Sequence, residues 1–173
     1  LLIPGFVLFL VSLSASHLTF TRYERTVSVS LIQGNIDQHL KWQPQNRGPI
    51  VDLYKQASET EWGRDLVVWP EAAITLFRER AANVLEDLDR LAAMSGTALV
   101  LGIPDRHESG GFQNTVIVLG NGEGQYVKRR LVPFGEYVPL EDYLRGVIGL
   151  FNLPMSHNMI GPDKQSPLIA GGN

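Results

Sequence analysis

A chain of 173 residues, 44% hydrophobic and 19% charged, has the size and composition of one folded domain. Its formal charge of −3 and pI near 5.8, with no long Lys/Arg block, argue against nucleic acid as a partner. With no cysteine it has no disulfide, no thiolate metal ligand and no cysteine nucleophile of its own. His17, His39, His107 and His157 match no short metal-ligand spacing, so no metal site is expected.

The first 21 residues, LLIPGFVLFLVSLSASHLTFT, contain no Asp, Glu, Lys or Arg. About 20 apolar residues suffice for a helix to cross the hydrocarbon core of a bilayer, so residues 1–20 are predicted as a transmembrane helix and 21–26 as the membrane exit. A buried or interfacial helix is the plainer alternative. The sequence begins without Met and without the basic region of a signal peptide, which suggests the interior of a longer protein.

From residue 27 onward the pattern is that of an α/β domain. Val27, Val29 and Leu31 alternate with Ser28 and Ser30, predicting a strand over 27–32. LKWQPQNRGP at 40–49 reads as a loop before a helix near 50–60, and DLVVW places a strand at 65–69. Val84, Leu85, Leu88, Leu91 and Ala92 recur at helical spacing between Arg80 and Met94, and Ser95 and Gly96 stop that helix before a strand at 97–103. After a polar loop at 106–112, strands are expected at 115–119 and 125–128, joined by a turn at Asn121–Gly124. No phosphate-binding glycine motif occurs, so those glycines are read as turn residues. A short helix is expected around 140–150, and the last residues suggest no regular element, as though the chain were cut in mid-domain.

Three charged residues follow apolar segments: Glu71 after VVWP, Lys128 after the second of the adjacent strands, and Glu136 after LVPFG. Strand ends can hold reactive groups on a rigid base. If the three meet, a carboxylate could take a nucleophile's proton, the ammonium could stabilise a developing oxyanion, and the second carboxylate could set the lysine's field. Each also has a plain reading: Glu71 as a solvated strand end, Lys128 as part of an exposed KRR cluster, Glu136 as a turn residue. Spacing alone does not choose between them.

VSLIQGNIDQHLKW, VVWPEAA, YVKRRLVPFGEYVPLE and FNLPMS, in that order behind an apolar segment, resemble the apolipoprotein N-acyltransferase family, integral-membrane enzymes of bacterial lipoprotein maturation with a nitrilase-like (carbon-nitrogen hydrolase) domain. The resemblance implies an α-β-β-α sandwich, of which residues 27–173 would be part. It also implies that Glu71 and Lys128 are catalytic, that Glu136 is a further essential glutamate, and that Trp42 lies on a substrate-binding loop near the site. The family's third catalytic member is a cysteine, which would lie downstream of Asn173. This chain alone would then be inactive.

The reaction so implied moves a fatty acyl group from a phospholipid donor, through a cysteine thioester, to the diacylglyceryl-modified N-terminal cysteine of an apolipoprotein acceptor. It needs no cofactor. It takes place in the bacterial inner membrane, with the nitrilase-like domain facing the periplasm. Two other readings fit parts of the sequence: a soluble nitrilase-like amidase, using the same Glu and Lys, and a noncatalytic membrane-tethered binding domain.

Overall fold

Five strands hydrogen-bonded in the order β1-β2-β3-β4-β6 form the sheet on which the rest of the domain is built. The computed structural model describes residues 2–15, 18–19, 21–133, 135–137 and 158–171. In chain order the described elements are helix α1 (Leu2–Ala15), β1 (Val29–Leu31), α2 (Gln38–Lys41), α3 (Arg47–Ala57), β2 (Leu66–Val68), α4 (Ala82–Ser95), β3 (Ala98–Arg106), β4 (Phe112–Gly120), β5 (Gly122–Glu123), β6 (Gln125–Val127) and β7 (Ile169–Ala170). Strands β1, β2 and β3 are parallel, with the helical connections between them, whereas β4 runs antiparallel to β3 and β6 antiparallel to β4. The sheet is therefore mixed.

Strand periodicity decides which side chains enter the core. Val67, Leu99, Leu101 and Ile117 point to one face and are at most 2% exposed. There they meet Ile50, Val51 and Tyr54 of α3 and Leu85, Leu88 and Ala92 of α4 in one cluster. Burying each aliphatic side chain contributes about 1.5–3 kcal/mol. The alternate residues Val68, Val100 and Val116 are only half-buried on the other face, and Leu31 there is 75% exposed. Helix α4 ends at Gly96, which takes the left-handed φ of 70° and donates to the carbonyls of Ala92 and Ala93, turning the chain into β3.

Trp69, which follows β2, is the largest fully buried side chain. Its ring stacks on Tyr54 at a centroid distance of 5.2 Å, and its Nε1–H donates to Ser58 Oγ at 2.9 Å. Ser58 Oγ in turn donates to the Tyr54 carbonyl at 2.8 Å. Each bond contributes about 0.5–1.5 kcal/mol net, and together they fix the chain just before Pro70 and Glu71.

Most expected elements are present within a few residues, and the differences have local causes. The first two strands are shorter than 27–32 and 65–69, although backbone bonds continue past them, Leu66 N–H donating to the Ser28 carbonyl and Ile32 N–H to the Val68 carbonyl, and at one end Ser28 Oγ and N–H both donate to the Asp65 carboxylate at 2.7 Å. The hairpin joining β3 and β4 is tighter than expected, since the register continues to Arg106↔Phe112 and leaves only residues 107–111 as loop. The Asn121–Gly124 segment is more than a turn: Gly122 and Glu123 pair antiparallel with Ala170 and Ile169, so the tail does end in a strand. The helix expected around 140–150 lies outside the described residues.

The transmembrane helix expected over 1–20 is the main departure. Helix α1 has 14 residues, and at 1.5 Å per residue it spans about 21 Å against the roughly 30 Å of a hydrocarbon core. Among the described residues, no helix is long and apolar enough to cross a membrane. The continuous apolar run itself stops at Val11, before Ser12. The surface of α1 is nonetheless apolar and open, with Phe6 63%, Leu8 69% and Phe9 59% exposed.

Candidate active site

Two of the three charged residues are placed just beyond a strand, and the third by a turn. Beyond β2, Trp69 N–H still bonds to the Val100 carbonyl at 2.8 Å, but Pro70 has no N–H to continue the ladder and the chain turns. Glu71 begins that turn, which passes through Ala72 at a left-handed φ of 48° and closes with Ala73 N–H on the Pro70 carbonyl. Residues 70–72 press against Gly102 of β3. A Cβ at that position would lie 2.7 Å from both Ala72 N and Glu71 Cα. Lys128 follows β6 and is fixed by its N–H on the Asn114 carbonyl at 2.8 Å. Glu136 closes a turn in which its N–H donates to the Val132 carbonyl while Val132 N–H donates to Glu136 Oε2 at 2.8 Å.

These elements bring the three side chains together. Lys128 Nζ donates to Glu71 Oε1 at 3.1 Å and to Glu136 Oε1 at 2.9 Å. Asn114, on β4, spans the same two carboxylates, its Nδ2 lying 3.2 Å from Glu71 Oε1 and 2.9 Å from Glu136 Oε1. Burial works against the Lys128 charge, but the hydrogen bonds and charges of Glu136 and Glu71 outweigh it and hold its pKa above the ordinary lysine value. The lysine is thus an ammonium across the neutral range.

The two carboxylates differ in ways that suit different tasks. Both oxygens of Glu136 accept hydrogen bonds, and its side chain is 16% exposed. Glu71 uses only Oε1, no donor among the described residues reaches Oε2, and its side chain is 63% exposed. One carboxylate is held as a fixed counter-charge, while the other has an oxygen open to an incoming group. Below them is an apolar cavity of about 280 Å³ lined by Val68, Trp69, Val100, Val116 and Tyr126.

Trp42, the fourth expected residue, sits directly after α2 and is 51% exposed. It makes no direct hydrogen bond to the cluster but lines two cavities whose walls include Glu136 and Asn114, one of which also includes Glu71. Beside it Lys41 Nζ donates to the Glu71 backbone carbonyl at 3.0 Å. Burial lowers the Lys41 pKa, partly opposed by the charge of Glu71.

Asn114 and Lys41 were not singled out by the sequence analysis. For Asn114 a weak signal existed, because it falls in phase with Val116 and Val118, a polar residue on an otherwise apolar strand face. For Lys41 no signal existed, since its contact is to a backbone atom 30 residues away. Among the described residues, no group of His, Asp and Glu side chains could hold a metal ion.

Comparison with known proteins shows the family to which this chain belongs. The carbon-nitrogen hydrolase family model matches residues 28–161. The apolipoprotein N-acyltransferase of Pseudomonas syringae pv. tomato is 43% identical over 150 residues, covering 84% of this chain and 30% of that protein. That of Vibrio parahaemolyticus is 39% identical over 160 residues, covering 87% of this chain and 32% of its own length. The chain therefore spans about a third of the curated relatives it matches. Among solved structures, XC1258 from Xanthomonas campestris, a CN-hydrolase superfamily protein, superposes with a TM-score of 0.50 at 24% identity, covering 65% of this chain and 44% of that one. That likeness concerns the fold.

Proposed function

Since the chain belongs to the carbon-nitrogen hydrolase family, we propose that it supplies the Glu–Lys half of an acyltransferase site, and that the complete protein moves a fatty acyl group from phospholipid to the N-terminal diacylglyceryl-cysteine of apolipoproteins. The observation that carries this reading is Lys128 held between Glu71 and Glu136 with one Glu71 oxygen left open. The relatives' name supports the choice of reaction.

In this proposal the nucleophile is a cysteine thiol from sequence beyond Asn173. Glu71 Oε2 takes the thiol proton as sulfur attacks the donor's ester carbonyl, and Lys128 stabilises the oxygen that becomes negative. The ester C–O bond breaks, the departing lysophospholipid oxygen takes the proton from Glu71, and a thioester remains. In the second half the acceptor's α-amine attacks the thioester carbonyl, its proton passes to Glu71, the C–S bond breaks, and the thiolate is reprotonated. Glu136 exchanges no proton with substrate in this scheme. It orients Lys128 and keeps it charged.

The exposed sheet face bearing Leu31, Val68, Val100 and Val116 would pack against the second sheet of an α-β-β-α sandwich. Helix α1, with its open apolar surface, would be part of the attachment to the inner membrane, with the site on the periplasmic side. Protease added to intact spheroplasts should then cleave residues of the sheet domain, and full protection would place the domain on the cytoplasmic side. The exposed side chains of α1 are also what weighs against a soluble amidase with the same Glu–Lys pair.

The direct test is to trap the acyl-enzyme. The complete protein in detergent or nanodiscs, given phospholipid with a labelled acyl chain and no acceptor, should acquire a label released by hydroxylamine, and the 173-residue chain should acquire none. Equal labelling of the cysteine-free chain, or none in the complete protein, defeats the proposal.

A further inference from the structure

Beside the Lys128 cluster lies a cavity of about 590 Å³ whose wall includes Trp42, Asn114 and Glu136. Four side-chain polar atoms among the described residues are buried without a partner: Arg47 Nε, Thr75 Oγ1, Thr115 Oγ1 and Asn158 Oδ1. Three of those residues, Arg47, Thr75 and Asn158, line this one cavity, and Arg80 lines it too. Buried polar groups in folded proteins are nearly always satisfied, so orphans gathered around one space call for a guest there, either ordered water or a ligand.

The chemistry of the wall narrows the ligand. Neither Arg47 nor Arg80 forms an ion pair among the described residues, although seven other ion pairs do form. Two unpaired guanidinium groups at one cavity favour an oxyanion, which arginine binds through paired N–H donors. Thr75 Oγ1, on a side chain only 6% exposed, can donate to the same anion, while Asn158 Oδ1 needs a donor in return. Trp42, Phe77 and Phe112 supply apolar wall beside these groups. A ligand with an oxyanion, a hydrogen-bond donor and an apolar body satisfies all of them.

We propose that this cavity binds the phosphodiester head group of the lipid donor, with Arg47 and Arg80 on the phosphate, Thr75 donating to it and Asn158 accepting from the head-group amine or hydroxyl. The choice of a lipid as the carrier of that phosphate rests on the acyl-transfer reading. The anion chemistry of the wall does not. Because Asn114 and Glu136 belong to both the cavity and the Lys128 cluster, a phosphate seated here holds the attached glycerol ester next to the ammonium. Such a site would favour phospholipid over neutral acylglycerol as donor.

Equilibrium binding to the complete protein, read by calorimetry, tests this without relying on turnover. Dihexanoyl phosphatidylethanolamine should bind roughly tenfold or more tightly than dihexanoylglycerol, as loss of a charge-assisted pair would dictate. The double variant Arg47→Gln, Arg80→Gln should lose that preference, and Arg47→Lys, Arg80→Lys should recover part of it. Thr75→Val gives a second readout that a structural role would not produce: removing an orphaned buried hydroxyl should raise the melting temperature of the lipid-free protein while weakening phospholipid binding. Equal binding of the two lipids, an unaltered preference in the Gln variant, or inorganic phosphate binding as tightly as the lipid would each overturn the proposal. If head-group binding follows these residues while no acyl-enzyme can be trapped, the acyl-transfer reading fails and the binding site stands.

Discussion

Lys128→Met in the complete protein should reduce acyl-enzyme formation roughly 100- to 1,000-fold, the usual cost of losing one oxyanion-stabilising donor. Methionine fills similar space without charge, so the loss would be electrostatic. It would also leave the carboxylates of Glu71 and Glu136 sharing only Asn114 Nδ2 as a donor between them. Glu71→Gln should be comparably inactive for a different reason. An amide oxygen can still accept from Lys128 and Asn114, so the cluster should hold together, but it cannot take the proton of the thiol. Single-turnover labelling with phospholipid separates both from loss of fold when run beside a thermal melt. Normal acylation by Glu71→Gln would remove Glu71 from the role of base.

The pH dependence has a definite sign. The Lys128 pKa is raised from 10.5, so the stabilisation gained from its two carboxylates is fully present below that unfolded-state value and is lost as pH rises through the higher folded-state one. Neutral and mildly alkaline conditions should not discharge it. Any alkaline limb of the rate well below that range therefore belongs to another group.

Much of the architecture was legible because local pattern and tertiary demand coincide. The helical spacing of Leu85, Leu88 and Ala92 is the spacing of the residues that α4 buries, and Ser95–Gly96 is where it stops. The continuous apolar runs around Val67 and Leu99 likewise mark strands that enter the core, though not which face meets the helices. What pattern could not supply was long-range pairing. The strand at Ile169–Ala170 exists because Gly122 and Glu123 offer it an edge, which a two-residue segment cannot announce by itself. Nor could it tell whether Glu71, Lys128 and Glu136 meet. That depends on β6 lying beside β4 and on the turn at Val132–Glu136, and the family resemblance, rather than spacing, selected those residues. For the apolar opening segment, the described helix covers Leu2–Ala15 of the span expected over 1–20, and composition records hydrophobicity but not where a helix stops.

Gly102→Ala should be nearly as damaging to the reaction as loss of Lys128, although position 102 carries no reactive group. The new Cβ would fall 2.7 Å from Ala72 N and Glu71 Cα and 2.9 Å from the Pro70 carbonyl oxygen. All three are backbone atoms, so no side-chain rotation relieves the contact. The opposite face of β3 is packed here, with Leu101 and Ile103 in the core, so the strand cannot retreat far. The turn at 70–72 must then move outward, carrying Glu71 away from Lys128 and disturbing the strained backbone at Ala72. Overpacking of this kind costs about 1–3 kcal/mol of stability, and a displacement near 1 Å at a reacting group can cost about 100-fold in rate. Gly48→Ala serves as the control: it lies in α3 with nothing within 4 Å of its added Cβ, and should leave the rate unchanged while stabilising the helix by up to about 1 kcal/mol. A Gly102→Ala protein that acylates at the normal rate would show that Glu71 is not positioned by this contact, and the route from strand packing to carboxylate geometry would have to be abandoned.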